Sequence, residues 1–347
     1  MEKGISLYPG MGMSQKTCLQ RLRDAAARGV KRLFLSLHLP EADKEAFARE
    51  VQPLLAEAEK LGMKTIGDMV PGSEIPEGIT HLRLDDGFTL QDIAALQQKY
   101  ADRTLVLNAS AIDEETLEEL VKAGADFSRM EALHNFYPRP HTGVSEAYFA
   151  SQNAMLHAYG LTVGAFVPSA TGRRGPLHAG LPTLELNRRM SLKLALNHLL
   201  LLGTDVIYIG DDGPSESELQ LLAATDGVVN LTMLTDRITP LHKKLASHVY
   251  TCRPDLSEEV IRAADSRAQW KDTDIQPFSK HQLTAGSVTL DNKLAGRYAG
   301  EVEICLTDLP AVESVNRMGV IPFKEMFLLP LFHGGVKFRF VPKVVGK

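Results

Sequence analysis

The stretch His81-Leu82-Arg83-Leu84-Asp85-Asp86-Gly87 sets one guanidinium close to two carboxyl groups. On a strand, alternation places Arg83 and Asp85 on the same face and turns Asp86 away or into the next loop. An arginine beside Asp85 favours the ionised form, which suits a nucleophile or a stabiliser of positive charge. The proton donor must then be a different carboxyl group. The competing reading of the pair is a structural ion pair that closes a core. Asp68, after Thr65-Ile66-Gly67, ends a similar run and serves either chemistry or the cap of the next loop. Thr183-Leu184-Glu185 follows the Gly- and Pro-rich segment 172–182, and an acid in a first helical turn also gains from the helix dipole. A proton donor needs a raised pKa. Of Asp86 and Glu185, Glu185 is the expected donor, because a helix-borne carboxyl group can face a leaving oxygen from across a site. In the same segment Arg173-Arg174 offers two cations to an anionic group, or two solvated side chains.

Polar residues end nearly every other strand-like run: Tyr8, Ser36 and His38, Asn108 and Ser110, His134-Asn135 with Tyr137, Ser169, and Asp211-Asp212. Tyr8, Arg83, Asn108, His134, Asn135, Tyr137, Arg173, Arg174 and Asp211 are therefore expected to contact substrate. Several other chemistries lack their residues. Gly10-Met11-Gly12 has no third glycine of a dinucleotide fingerprint. His38, His134, His141 and His178 show no metal-ligand spacing, so neither a metal nor an organic cofactor is expected. No GxSxG elbow supports a serine triad. No lysine ends a strand, which counts against Schiff-base chemistry.

The elements that position these residues alternate. Strand-like runs fall at 4–9, 32–38, 64–70, 81–86, 104–110, 127–137, 161–168 and 205–210. Leu33-Phe34-Leu35 and Val206-Ile207-Tyr208-Ile209 are almost wholly apolar, as strands covered on both faces must be. Helical stretches lie between them: one capped by Ser14 and ended by Gly29, then about 41–61, 90–100, 114–122, 145–159, 183–202 and 215–224. Residues 71–78 read as a loop. The pattern is that of an α/β chain closing into a (β/α)8 TIM barrel, although an open doubly wound sheet gives a similar alternation. In such a barrel the strand ends above would line one mouth. The pattern changes after residue 236, so the expected division is a catalytic barrel at 1–236 and a small β domain at 237–347. Within the latter, 258–266 reads as helical and 287–290, 298–306, 325–331 and 336–341 as strands.

With 347 residues, 44% of them hydrophobic, the chain can fill a barrel core and a second small one. A net charge of -5 argues against nucleic-acid binding, which rests on neutralising phosphates. Cys18, Cys252 and Cys305 are far apart and read as free thiols. The first residues carry no apolar signal segment, and no run spans a bilayer, so a cytoplasmic protein without membrane contact is expected.

Five stretches together resemble one family. They are Gly4-Ile5-Ser6-Leu7-Tyr8-Pro9, Arg83-Leu84-Asp85-Asp86-Gly87-Phe88, His134-Asn135-Phe136-Tyr137-Pro138 with Thr142-Gly143, Gly180-Leu181-Pro182-Thr183-Leu184-Glu185, and Asp291-Asn292 with Gly296-Arg297-Tyr298-Ala299-Gly300-Glu301. They are similar to the MupG-like 6-phospho-N-acetylmuramidases, glycoside hydrolase family 170. The resemblance implies a TIM barrel followed by a cyclophilin-like β domain. It also implies hydrolysis of a 6-phospho-N-acetylmuramyl–N-acetylglucosamine disaccharide inside the cell, in recycling of cell-wall peptidoglycan.

Glycoside hydrolysis uses two carboxyl groups flanking the bond, and Asp68, Asp85, Asp86, Glu185 and Asp211 are candidates. An N-acetylated sugar also permits attack by its own acetamido oxygen, oriented by an Asp. Arg297-Tyr298, between Gly296 and Gly300, forms a further expected substrate contact, with a stabilising appendage as its alternative. Two other functions fit the same residues: a non-hydrolytic phosphosugar enzyme such as an epimerase, which needs a proton-abstracting pair, and a carbohydrate-binding protein without turnover.

Overall fold

A computed structural model of the chain describes residues 1–85, 87–278 and 282–345. Among these residues eight parallel strands close on themselves: β1 (Glu2–Leu7), β2 (Arg32–Leu35), β3 (Lys64–Met69), β4 (His81–Leu84), β5 (Thr104–Asn108), β6 (Met130–Leu133), β7 (Thr162–Val167) and β8 (Val206–Ile209). Closure rests on the first strand pairing the last, with Gly4 opposite Tyr208 and Ile5 opposite Ile209. An open sheet lacks that pairing. Tyr8, Phe34, Ile66, Val106, Leu133, Phe166, Leu181, Val206 and Tyr208 form one buried cluster inside the barrel.

Around the strands lie α1 (Gln15–Ala27), α2 (Lys44–Lys60), α3 (Leu90–Lys99), α4 (Glu114–Lys122), α5 (Glu146–Ala158), α6 (Leu192–Leu201) and α7 (Glu216–Ala224). Their starts follow from local chemistry. The Ser14 side chain accepts the Thr17 N–H, and Thr89 with Asp92 and Ser215 with Glu218 form capping boxes. Between β3 and β4 the chain passes through turns, as its Pro and Gly content requires. The segment 183–202, expected as one helix, is divided. Residues Glu185–Arg189 form a 3-10 turn, in which the Asn187 N–H bonds the Leu184 carbonyl, and Ser191 opens α6.

By packing, the chain separates into two compact units, Met1–Asp226 and Gly227–Lys347. The second contains β9 (Val229–Thr235), α8 (Pro240–Ser247), β10 (Tyr250–Cys252), β11 (Val260–Ala264), α9 (Ser266–Trp270), β12 (Ser287–Asp291), β13 (Val302–Cys305), β14 (Val315–Val320) and β15 (Lys337–Val344). Strand β9 thus lies in the second unit, although the division expected from the sequence set it before residue 237. Among the described residues its strands close in the order β10-β11-β13-β12-β14-β9-β15. Two expectations are corrected here. Residues 258–266 contain strand β11 rather than a helix, because Ile261 pairs Ile304 and Ala263 pairs Cys252. Residues 325–331 belong to a 3-10 helix, Phe323–Leu331, where Pro330 has no N–H to give to a ladder. No helix among the described residues is long and apolar enough to cross a membrane.

Candidate active site

At the C-terminal ends of β2, β3, β4 and β6 a cavity of 330 Å³ opens, within the range of small-molecule sites. Its apolar wall is Phe34, Leu39, Phe136 and Phe166, and its polar wall is Ser36, His38, Asp68, Arg83, Asp85, His134, Asn135 and Tyr137. The three phenylalanine rings meet edge to face, with centroids 5.2–6.0 Å apart.

Asp68 occupies the last inward position of β3, opposite Arg83 of β4. One oxygen accepts from the Ser36 hydroxyl at 2.6 Å and the other from the Leu37 N–H. Burial pushes its carboxyl group up, and this outweighs those two hydrogen bonds and the charges of Arg83 and His38. Asp85 sits at the rim, its side chain 43% exposed, with an oxygen 3.5 Å from Arg83 Nη1. Arg83 itself is buried, and its Nη2 donates to Asn135 Oδ1. The two carboxyl groups therefore stand in opposite settings: burial pushes one towards its protonated form, and the other faces a cation at the rim.

Behind Asn135 runs a hydrogen-bonded relay. The Asn135 N–H donates to Ser110 Oγ, which lies 3.0 Å from His134 Nδ1, while His134 Nε2 lies 2.9 Å from Asn153 Oδ1. Asn153 uses its own Nδ2 to donate to the Leu202 carbonyl at 2.7 Å. Its oxygen therefore faces the ring, so Nε2 carries the proton and Nδ1 accepts from Ser110. Burial brings His134 down to about 4, against the Asn153 hydrogen bond and aided by the Arg83 charge, so the ring is neutral.

The remaining expected residues lie elsewhere. Tyr8 is buried, and its hydroxyl donates to the Gly210 carbonyl at 2.5 Å. Asn108 accepts the Ser110 N–H at 3.1 Å and so shapes a turn. Asp211 is buried and accepts the N–H groups of Ser169, Arg174 and Leu181 at 2.8, 2.9 and 3.3 Å, which pins the loop after β7. Glu185, the expected proton donor, has the wrong setting for that task. Arg188 clasps both its oxygens at 2.7 Å and the Gly143 N–H adds a third bond. The Arg188 hydrogen bonds hold its carboxyl group at about 2. Asp86 lies outside the described residues. In the second unit, Arg297 lines a hollow of 630 Å³ together with Glu301, and its Nη2 donates to the half-exposed Tyr298 hydroxyl at 2.6 Å.

Two family models cover the chain: 6-phospho-N-acetylmuramidase, N-terminal, over residues 3–224, and 6-phospho-N-acetylmuramidase, C-terminal, over residues 229–341. The chain belongs to the 6-phospho-N-acetylmuramidase family. It is a glycosidase built on a TIM barrel with a β-rich second domain. Among solved structures it is similar to an uncharacterized Bacillus cereus protein, with 27% identity over 98% of this chain and 99% of that one and a TM-score of 0.82. A conserved Enterococcus faecalis protein of unknown function shares 31% identity over 99% and 97% of the two chains, with a TM-score of 0.67. No curated protein sequence matches.

For a glycosidase site, the sequence reading missed the aromatic wall and the supports behind the polar one. Phe34 and Phe166 are inward-facing residues of β2 and β7, and alternation counted outward from the strand ends locates them. Asn153 carried no such signal, because it acts on His134, 19 positions away. Arg188 was passed over although it stands three positions after Glu185, the spacing of an ordinary helical ion pair.

Proposed function

We propose that the cavity over β2, β3, β4 and β6 cleaves the glycosidic bond of a 6-phospho-N-acetylmuramyl–N-acetylglucosamine disaccharide, as a step in recycling cell-wall fragments. The observation that carries this reading is the pairing of Asp68, whose carboxyl group burial keeps protonated more readily than usual, with Asp85 against Arg83. Asp68 gives its proton to the leaving oxygen as the bond breaks. Asp85 supplies the negative charge that meets the oxocarbenium-like centre, beside Arg83, which Asn135 holds. A water molecule then adds its oxygen to that centre, and its proton returns to Asp68. The phenylalanine wall excludes water from one side and gives a sugar ring an apolar face to rest on.

The test is to incubate the purified protein with the phosphorylated and the unphosphorylated disaccharide and to analyse the products. Release of free N-acetylglucosamine, with kcat/KM far higher for the phosphorylated substrate, is the expected result. Asp68→Asn and Asp85→Asn should each lower kcat by about 10² or more with the fold intact. An aryl glycoside with a good leaving group should rescue Asp68→Asn and leave Asp85→Asn inactive. Solvent deuterium entering a C–H bond without bond cleavage would replace this reading with an epimerase.

A further inference from the structure

The loop after β7 presents two adjacent arginines, and the fold uses them differently. Arg173 gives its guanidinium to main-chain carbonyls: Ser169 at 3.2 Å, Ala179 at 3.4 Å and Arg188 at 3.4 Å. Arg174 is fixed by its main chain, through the N–H donated to Asp211, and its head group is left for something else. That guanidinium stands 4.4 Å above the Tyr8 ring and 5.4 Å from the Phe136 ring. The residue is 6% exposed, and its Nε and Nη1 are buried without a hydrogen-bond partner among the described residues.

A buried cation with unmet donors is costly to maintain, and aromatic faces meet its charge without accepting its N–H bonds. Neighbouring acids do not supply the missing acceptor. Asp211 already takes three N–H groups, and Asp212 influences Arg174 only through its charge, which it shares with Arg21. The loop is nevertheless rigidly placed. Gly213 donates its N–H to the Gly172 carbonyl at 3.2 Å, and a Cβ on Gly172 would fall 1.9 Å from the Gly213 carbonyl. The loops after β7 and β8 are where barrels of this class commonly hold phosphate. Phe136, on which Arg174 rests, is also a wall of the cavity that holds Asp68 and Asp85.

We propose that Arg174 is the anchor for an oxyanion on the sugar substrate, a phosphate monoester or a carboxylate, received by its unmet Nε and Nη1 donors. The proposal rests on the glycosidase reading of the adjoining cavity. Arg174 is preset on the Tyr8 and Phe136 rings, so binding the anion orders no flexible side chain.

Calorimetric titration with four monosaccharides tests it: N-acetylmuramic acid 6-phosphate, N-acetylmuramic acid, N-acetylglucosamine 6-phosphate and neutral N-acetylglucosamine. Arg174→Met should weaken binding of the sugars carrying the anchored group by roughly 10- to 100-fold and leave N-acetylglucosamine unchanged. Arg174→Lys, which restores charge without the planar donors, should recover part of the loss, and it replaces the Met variant if that one does not fold. Loss that follows the 6-phosphate assigns the anchor to the phosphate, and loss that follows the lactyl group assigns it to the carboxylate. Equal weakening of all four sugars, or wild-type binding of all of them, overturns the proposal. No titration depends on turnover. If the wild type cleaves no disaccharide while the Arg174 dependence holds, the glycosidase reading fails and the anchor stands. Cleavage by the wild type with unaltered binding by the variants removes the anchor and leaves the glycosidase reading in place.

Discussion

Glu185 shows how a single residue changes meaning when its neighbours are known. In sequence it is a carboxyl group after a Gly- and Pro-rich loop, suited to donating a proton. In the fold Arg188 takes both its oxygens, and the acid is held at about 2. Arg188 also donates to the carbonyls of Gly180 and Tyr137 at 2.9 Å, so the clasp ties the loop after β6 to the loop after β7. Glu185→Gln should therefore keep kcat within about tenfold of wild type, where Asp68→Asn loses about 10² or more. It should lower stability by about 1 kcal/mol, since solvent screens a partly exposed pair. Rescue of Glu185→Gln by an aryl glycoside, measured beside Asp68→Asn, would return the role of acid to Glu185. Asp68, Arg83 and Asp85 were legible because strand alternation alone places them at one mouth. The Arg188 clasp had a sequence signal, the i,i+3 spacing from Glu185, but not its reach to the Tyr137 and Gly180 carbonyls, which only the fold brings together.

At the scale of elements, the relay through Ser110, His134 and Asn153 links the ends of β5 and β6 to α5 and, through Leu202, to the end of α6. It positions Asn135, and through it Arg83. It works only with a neutral imidazole, because a second ring proton would face the hydrogen-bonded Ser110 hydroxyl in a buried site. Folding therefore depends on pH in a defined direction. The folded value near 4 lies below the ordinary 6.5, so the unfolded chain binds more protons between these limits. This contribution is fully present above about 6.5 and is lost as the pH falls towards 4, to an extent of order 3 kcal/mol. Urea midpoints measured across that window should fall more steeply for wild type than for His134→Gln. Parallel profiles would show that the ring does not titrate as argued. Strand β5 of this relay was readable because Leu105-Val106-Leu107 is a short apolar run closed by the polar Asn108. Segment 183–202 misled because its leucines continue across Ser191, where α6 restarts, and 258–266 because good helix formers there are overruled by pairing on both sides.

Across the barrel as a whole, chemistry and stability occupy opposite ends. The C-terminal mouth holds the cavity, while the N-terminal ends of the strands hold a network centred on Arg32, which is 3% exposed. Arg32 of β2 is paired with Glu131 of β6 and Glu2 of β1, and its Nη2 donates to Glu131 Oε1 at 2.8 Å. Lys64 of β3 reaches Glu2 at 2.9 Å, and His81 of β4 lies 3.8 Å from Glu131. Burial alone would raise Glu131, but Arg32 and His81 bring it down to about 2. Charge at this end serves the fold rather than catalysis. Arg32→Met should cost about 3–5 kcal/mol near neutral pH, because it leaves the Glu131 carboxylate buried without its main partner. Activity per folded molecule should stay at the wild-type level. The sign of the pH dependence should also reverse at this site. In wild type, Glu131 contributes stability above about 4.5 that is lost as the pH falls towards 2. In Arg32→Met its folded value rises, so acid relieves the variant and the gap to wild type narrows as the pH falls towards 4.5. Adding Glu131→Leu removes the stranded charge and should restore most of the loss at neutral pH. Urea denaturation of the three proteins at pH 7 and pH 5 measures all of this. A gap below about 1 kcal/mol, or one that does not change with pH, would mean that water reaches Glu131 and that the barrel does not depend on this network.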